Sequence, residues 1–297
     1  MPPVLIPVGA DMDMLCQFGP ITVLFQEMPT SPLWPFWRWK LDPFRIANGV
    51  PDVVVNYSDQ PIQPEGMAVW EDCSVQVCRQ VYILADGRVL WQQTEHTTGA
   101  LQLQFAVSAD WTEITLTADH SPTAGMGAFE ALTFLIFYAF LHQQVLTFHG
   151  ALVEADGKGF LLCAASGAGK TTHARLWRDH KNALILNGDR AACFHQQGQW
   201  FGFGTPWCGT SGEYLNRCVP LQAVVILQRG AENRVSAAEG MSLLSHGVYP
   251  TWDCAATETM LSLLDRFLEQ IPVLRLECTP DAAAVDVLYQ ALERLPL

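Results

Sequence analysis

A chain of 297 residues, 49% of them apolar, is long enough for two ordinary domains, each with a core of its own. Its 30 acidic against 17 basic residues leave a net charge of -13, a field that repels phosphate backbones and anionic lipid, and no Lys/Arg-rich run interrupts it. Composition therefore disfavours nucleic acid and membrane surfaces as partners.

The first stretch, residues 1–14, has no basic segment followed by an apolar one, so no secretory signal is expected. Residues 1–122 read as a β-rich N-terminal domain, a docking region for substrate or partner, with apolar runs at 52–58, 74–84, 88–96 and 112–119. Asp86-Gly87 between two of these runs predicts a hairpin. The segment 33–45, rich in tryptophan and proline, reads as irregular and packed on the β-rich core. Nine cysteines are scattered through the chain, Cys73 and Cys78 being the closest pair, with neither C-x-x-C motifs nor Cys/His clusters at zinc spacing. They read as buried reduced thiols of a cytoplasmic protein. His96, His120, His142, His180, His195 and His246 likewise show no metal spacing and read as structural or exposed.

A glycine- and proline-containing stretch at 120–127 predicts the link to a second domain, placed at 123–297. The apolar segment 128–141 is too short to span a bilayer and reads as a buried helix. From there strands alternate with helices, as in an α/β layer. Two apolar runs joined by Asp156-Gly157 predict a hairpin whose second strand enters a glycine loop. Residues 182–186 and 221–228 read as buried strands, 256–270 as a helix, and Thr279-Pro280-Asp281 as the cap, first-turn proline and acid at the start of a last helix.

The glycine loop carries the most specific chemistry. Ser166, Gly167, Ala168, Gly169, Lys170 and Thr171 follow the distal part of the pattern G-x-x-x-x-G-K-[ST], with Thr172 next in the helix and Ala164 where the pattern begins with glycine. In such a loop, backbone N–H groups turn onto phosphate oxygens, the lysine reaches the terminal phosphates and the threonine hydroxyl ligates Mg²⁺. Phosphoryl transfer also requires a carboxylate at a strand end facing the loop. Asp189, following the apolar run and Asn187-Gly188, is the candidate, with a plain Asn-Gly-Asp turn as the alternative. Arg190 reads as a surface ion pair or as a stabiliser of transferred charge. The glycine-dense stretch 202–217, with Glu213 and Arg217, is a candidate acceptor loop or a surface connection.

The stretches 148–177, 184–194 and 204–209 together resemble the kinase domain of the HPr kinase/phosphorylase family and its HPr-kinase-like relatives. The resemblance covers roughly residues 145 to 295. It implies an α/β fold of the phosphoenolpyruvate-carboxykinase P-loop type, with a mixed sheet, preceded by the β-rich domain. It places His149 beside the transferred phosphate and makes Asp189 a base or a metal ligand, with Gly188 where the family has a first aspartate. It also implies ATP and Mg²⁺ as cofactors and homo-oligomers as an assembly. The function expected is a kinase acting on a Ser/Thr-type hydroxyl of a protein or peptide. The alternatives are a kinase of a small hydroxyl metabolite such as free serine, a nucleotide sensor or scaffold on a decayed kinase fold, and a mechanochemical ATPase.

Overall fold

The computed structural model describes residues 13–28, 31, 33–118, 124–165, 167–246 and 254–295. The chain divides into two compact units, Met1–Gln143 and Gln144–Leu297. It is an α/β protein with two mixed sheets and a β-rich N-terminal region.

The first unit is one eight-stranded sheet. Its strands are β1 (Met14–Phe18), β2 (Ile21–Phe25), β3 (Val53–Tyr57), β4 (Trp70–Cys73), β5 (Val77–Ile83), β6 (Val89–Glu95), β7 (Leu101–Val107) and β8 (Glu113–Ala118), in the spatial order β1-β2-β3-β8-β7-β6-β5-β4. Pairing is antiparallel except for β2–β3 and β3–β8. Two helices belong to this unit, α1 (Trp34–Leu41) and α2 (Ala124–His142). The expected hairpin at Asp86-Gly87 forms, with Gly87 N–H donating to the Leu84 carbonyl at 2.9 Å.

Three expectations change here. The unit boundary falls after Gln143, not after residue 122, because α2 buries Phe129, Leu132, Ile136 and Phe140 and stacks Tyr138 on Trp111 at 4.6 Å. Of the expected link at 120–127, residues 120–123 lie outside the described residues and 124–127 begin this helix. The helix is also longer than its apolar segment. Gly125–His142 meets the length and composition of a membrane span, although most of it is buried in the protein. Finally, the tryptophan-rich segment forms a helix with proline in its first turn, where a missing N–H costs nothing. Trp37 is fully buried there and donates its indole N–H to Gly125 at 3.0 Å.

In the second unit, β9 (Val145–Ala155) and β10 (Lys158–Cys163) form the expected hairpin, and α3 (Lys170–Lys181) follows the glycine loop. Then come β11 (Leu184–Asn187), β12 (Arg190–Gln196), β13 (Gln199–Phe203), β14 (Cys218–Arg229), β15 (Arg234–Ala237), α4 (Ser242–His246), α5 (Cys254–Leu268), β16 (Val273–Cys278) and α6 (Ala282–Glu293). The sheet order is β10-β9-β12-β13-β14-β16-β15, and β10 also pairs with β14, in parallel, so the path from β10 through β14 returns on itself. β14 and β16 are parallel as well. Parallel strands buried on both faces need continuous apolar runs, which Ala223–Leu227 supplies.

Helix α3 lays His173, Ala174 and Trp177 against this sheet, and the Trp177 ring meets Phe160 at 4.6 Å. Asp281, and not Thr279, caps α6: its carboxylate accepts from the Ala284 N–H at 3.0 Å.

His173 ties this packing to pH. Burial pushes its imidazole down to about 4, and Asp281 opposes that only in part. The unfolded chain takes up a proton near the usual 6.5, so the folded state loses stability as pH falls from there towards 4 and keeps it fully above that window. The loss amounts to roughly 3 kcal/mol. Urea unfolding at pH 7.5 and 4.5 should show a smaller acid loss for His173→Gln than for the parent, and equal losses would contradict this account.

Candidate functional site

The site grows from the end of β10. Gly167 (φ 74°) and Gly169 (φ 111°) take left-handed backbone that a side chain would strain. Ala164 is not among the residues with positive φ, which is why alanine is accepted at the first loop position. Its methyl is buried in the core. Gly169 is the N-cap of α3 and has no side chain to accept from the first-turn N–H groups, which lack intrahelical partners beside Lys170, Thr171 and Thr172. Ala168 packs partly against the core beneath. Ser166 lies outside the described residues. On the far side, Arg229, at the end of β14, donates to the Gly167 carbonyl at 2.8 Å and ties the loop to the sheet.

Lys170 is buried and points back under the loop. Its ammonium donates to the Ala164 carbonyl at 3.0 Å and lies 3.1 Å from Nε2 of His149. An ammonium has no acceptor, so Nε2 must be the acceptor and the ring proton sits on Nδ1. Nδ1 in turn faces Oδ1 of Asp189 at 3.5 Å. Electrostatics agree with that tautomer. Burial lowers the His149 pKa below its usual value, Asp189 partly restores it, and Lys170 and Arg190 lower it further. The Lys170 pKa is also lowered, chiefly by burial, with Asp189 opposing. Asp189, His149 and Lys170 thus form one chain of polar groups on β9, the helix start and the β11–β12 connection.

The connection is held by a residue that the sequence reading passed over as part of a turn. β11 and β12 run antiparallel to β9 almost as one strand, and Gly188-Asp189 bulges out between the pairing of Asn187 with Leu152 and that of Arg190 with His149 and Gly150. Asn187, fully buried, makes that bulge rigid. Its carbonyl oxygen accepts from the backbone N–H of Asp189 at 2.8 Å and of Arg190 at 2.6 Å, while its amide donates to Thr205 O at 2.8 Å and Trp207 O at 3.2 Å. The only sequence signal was its place before Gly-Asp, since Asn favours such local bonds.

The 202–217 stretch closes over the same bulge. Its Gly209 approaches Asp189 so closely that a Cβ there would lie 2.4 Å from Oδ2. Gly188 is equally confined: a Cβ would meet Ser211 Oγ at 2.1 Å, so an aspartate at this position requires Ser211 to move. Glu213 pairs with Arg175 at 2.9 Å and Arg178 at 3.4 Å on α3, and Arg217 binds both oxygens of the buried Glu154, one at 2.6 Å. Arg190 Nε lies 3.5 Å from Asp189 Oδ2. His149, Lys170 and Asp189 are therefore brought together, whereas Glu213 and Arg217 are engaged in ion pairs to α3 and β9.

Residues 115–243, less than half of the chain, match the model of a family described as SynChlorMet cassette protein ScmC. No curated protein matches the chain. Among solved structures, the Hpr(Ser) kinase/phosphatase from Coxiella burnetii is 11% identical, over 50% of this chain and 93% of that one, with a TM-score of 0.28, a likeness too slight to show a shared fold.

Proposed function

We propose that the second unit is an ATP- and Mg²⁺-dependent kinase of the HPr-kinase-like type, on a phosphoenolpyruvate-carboxykinase P-loop fold, that phosphorylates a Ser/Thr-type hydroxyl of a protein or peptide. The observation that carries this reading is the chain Asp189–His149–Lys170 at the start of a helix whose N-cap is a glycine, behind two left-handed glycines. Backbone N–H groups of a helix start and a lysine beside them are what a polyphosphate requires. A cytoplasmic location accords with ATP as phosphate donor.

The donor set also suits Mg²⁺, a hard cation that takes one or two carboxylates plus phosphate oxygens. Asp189 keeps 20% of its side chain open, and Thr171 supplies a hydroxyl. A cation held by these two residues would neutralise charge on the phosphates. The chain's own part is then divided. Lys170 exchanges its contact with the Ala164 carbonyl for phosphate oxygen. His149, neutral and with its proton on Nδ1, holds the Asp189 carboxylate in line, and Asp189 takes the proton of the acceptor hydroxyl.

Asp189→Asn should keep most nucleotide affinity and lose turnover by about 10²–10⁴-fold, the usual worth of a positioned general base. Transfer at the parent rate would leave Asp189 as a turn residue. The decisive assay follows label from γ-labelled ATP into size fractions of a lysate, with Lys170→Ala as control. Label dependent on Lys170 in a protein or peptide fraction supports the proposal, and label in a small metabolite moves the acceptor to a free hydroxyl compound.

One observation favours a second reading, a nucleotide sensor. Ser211 fills the space beside Gly188 where the resembling family carries another carboxylate, so that position supplies no acidic group. Mg²⁺-dependent nucleotide binding without transfer to any fraction would select it.

A further inference from the structure

The tip of the β4–β5 hairpin gathers a second set of reactive side chains, in the first unit. Cys73 and Cys78 are register partners with Cα atoms 4.0 Å apart and are joined as a disulfide. This replaces the expectation of buried reduced thiols for this pair: Cys73 is exposed, and the two strands bring the sulphurs face to face. The other seven cysteines are not joined as disulfides. His96, just past the end of β6, joins the pair. Its backbone N–H donates to the Gln76 carbonyl in the hairpin turn at 2.9 Å, and one ligand atom each from Cys73, Cys78 and His96 lies within 4.8 Å of the other two.

The turn itself is braced by Ser74, whose hydroxyl accepts from Val77 N–H at 3.1 Å and Gln76 N–H at 3.3 Å. Three donors thus stand on one braced scaffold of three adjacent strands.

We propose that Cys73, Cys78 and His96 form, when the cysteine pair is reduced, a binding site for a thiophilic divalent cation of the Zn²⁺ class. Tetrahedral coordination with Zn–S near 2.3 Å and Zn–N near 2.0 Å needs ligand atoms about 3.5–3.8 Å apart. Once the S–S bond opens, the two sulphurs move apart to that spacing, and the His96 nitrogen, already within 4.8 Å of both, closes the remaining gap by side-chain rotation. Two thiolates cancel the charge of the cation, and imidazole supplies a third ligand without adding charge. Three protein ligands leave a fourth position for water or for an external ligand. Opening the S–S bond takes two electrons and two protons from a thiol reductant, which leaves as its own disulfide, and metal binding returns those two protons to solvent. The disulfide therefore excludes the metal. The sequence hides this site, because C-x₄-C followed eighteen residues later by His matches no familiar zinc spacing and only the strand order assembles it.

The test uses the full chain, metal-free, with Co²⁺ as probe. After reduction one equivalent should bind with a near-ultraviolet thiolate-to-cobalt band and the visible bands of tetrahedral cobalt, and Zn²⁺ should displace it. The oxidised protein should show none of this. His96→Ala should weaken binding at least about tenfold, the lower end of what even an outer-shell change costs. In the parent protein, Zn²⁺ should protect Cys73 and Cys78 from alkylation while the exposed Cys218 and Cys254 react, a readout that needs no variant to fold. Absence of a one-to-one complex in the reduced protein overturns the proposal, as does an unchanged complex in the Cys73→Ser/Cys78→Ser double variant or unprotected Cys73 and Cys78.

Discussion

Lys170→Ala is expected to lower phosphoryl transfer by at least about 10²–10³-fold, the effect of deleting one preorganised stabiliser of developing charge, while the protein stays folded. The side chain's polar contacts are the Ala164 carbonyl and His149. Removing it leaves one carbonyl and one imidazole nitrogen at the site mouth, and it also removes a partly desolvated charge whose pKa burial already lowers. Stability should therefore change by no more than about 1 kcal/mol, the net worth of an ordinary hydrogen bond. Label transfer and thermal unfolding of the same sample separate the two effects. Parent-level transfer by the alanine variant would defeat the kinase reading outright, and a collapsed fold would mean that Lys170 is held for packing.

Asn187→Ala should be the most damaging polar substitution, destabilising by about 3–5 kcal/mol in urea. The cost comes from what stays behind. Asp189 and Arg190 lose the acceptor of their N–H groups, and the Thr205 and Trp207 carbonyls lose a donor, all within a bulge covered by the 202–217 stretch. Asn187→Asp is the informative partner. It keeps the acceptor that orients the Asp189 backbone but replaces the amide donor with an oxygen facing two carbonyls, so it should restore little stability. If Asn187→Ala unfolds at the parent's urea concentration, the bulge is held by other contacts, and the assignment of Asn187 as the residue that positions Asp189 is wrong.

Parts of this site were legible as sequence because their causes are local. Gly167 and Gly169 announce left-handed backbone, Lys170 follows them at fixed spacing, and the apolar run of β10 leads into them. The Asp86-Gly87 and Asp156-Gly157 hairpins were legible for the same reason. The extent of α2 was not, since its start at Ala124 lies upstream of the apolar run from which the helix was read. Helix α1 was hidden by its prolines and tryptophans, which read as irregular until Trp37 is seen to bury its ring and bond to Gly125.

The remaining features rest on pairings between distant segments. Arg229 reaches Gly167 because β10 and β14 are parallel neighbours. Asp189 faces His149 because β12 pairs with β9 in one register, with a bulge at the point where Asn187 holds the turn. Gly209 and Ser211 press on that bulge from a loop with no regular period, and Cys73, Cys78 and His96 meet through the order of three strands. Taken alone, the sequence determined which backbone conformations were open, which runs must be buried and which side chains carry phosphate chemistry, all of them properties of a residue and its nearest neighbours. The tertiary structure alone decided which of those side chains share one volume, because strand register and loop packing are set by hydrogen bonds and steric contacts between residues far apart in the chain.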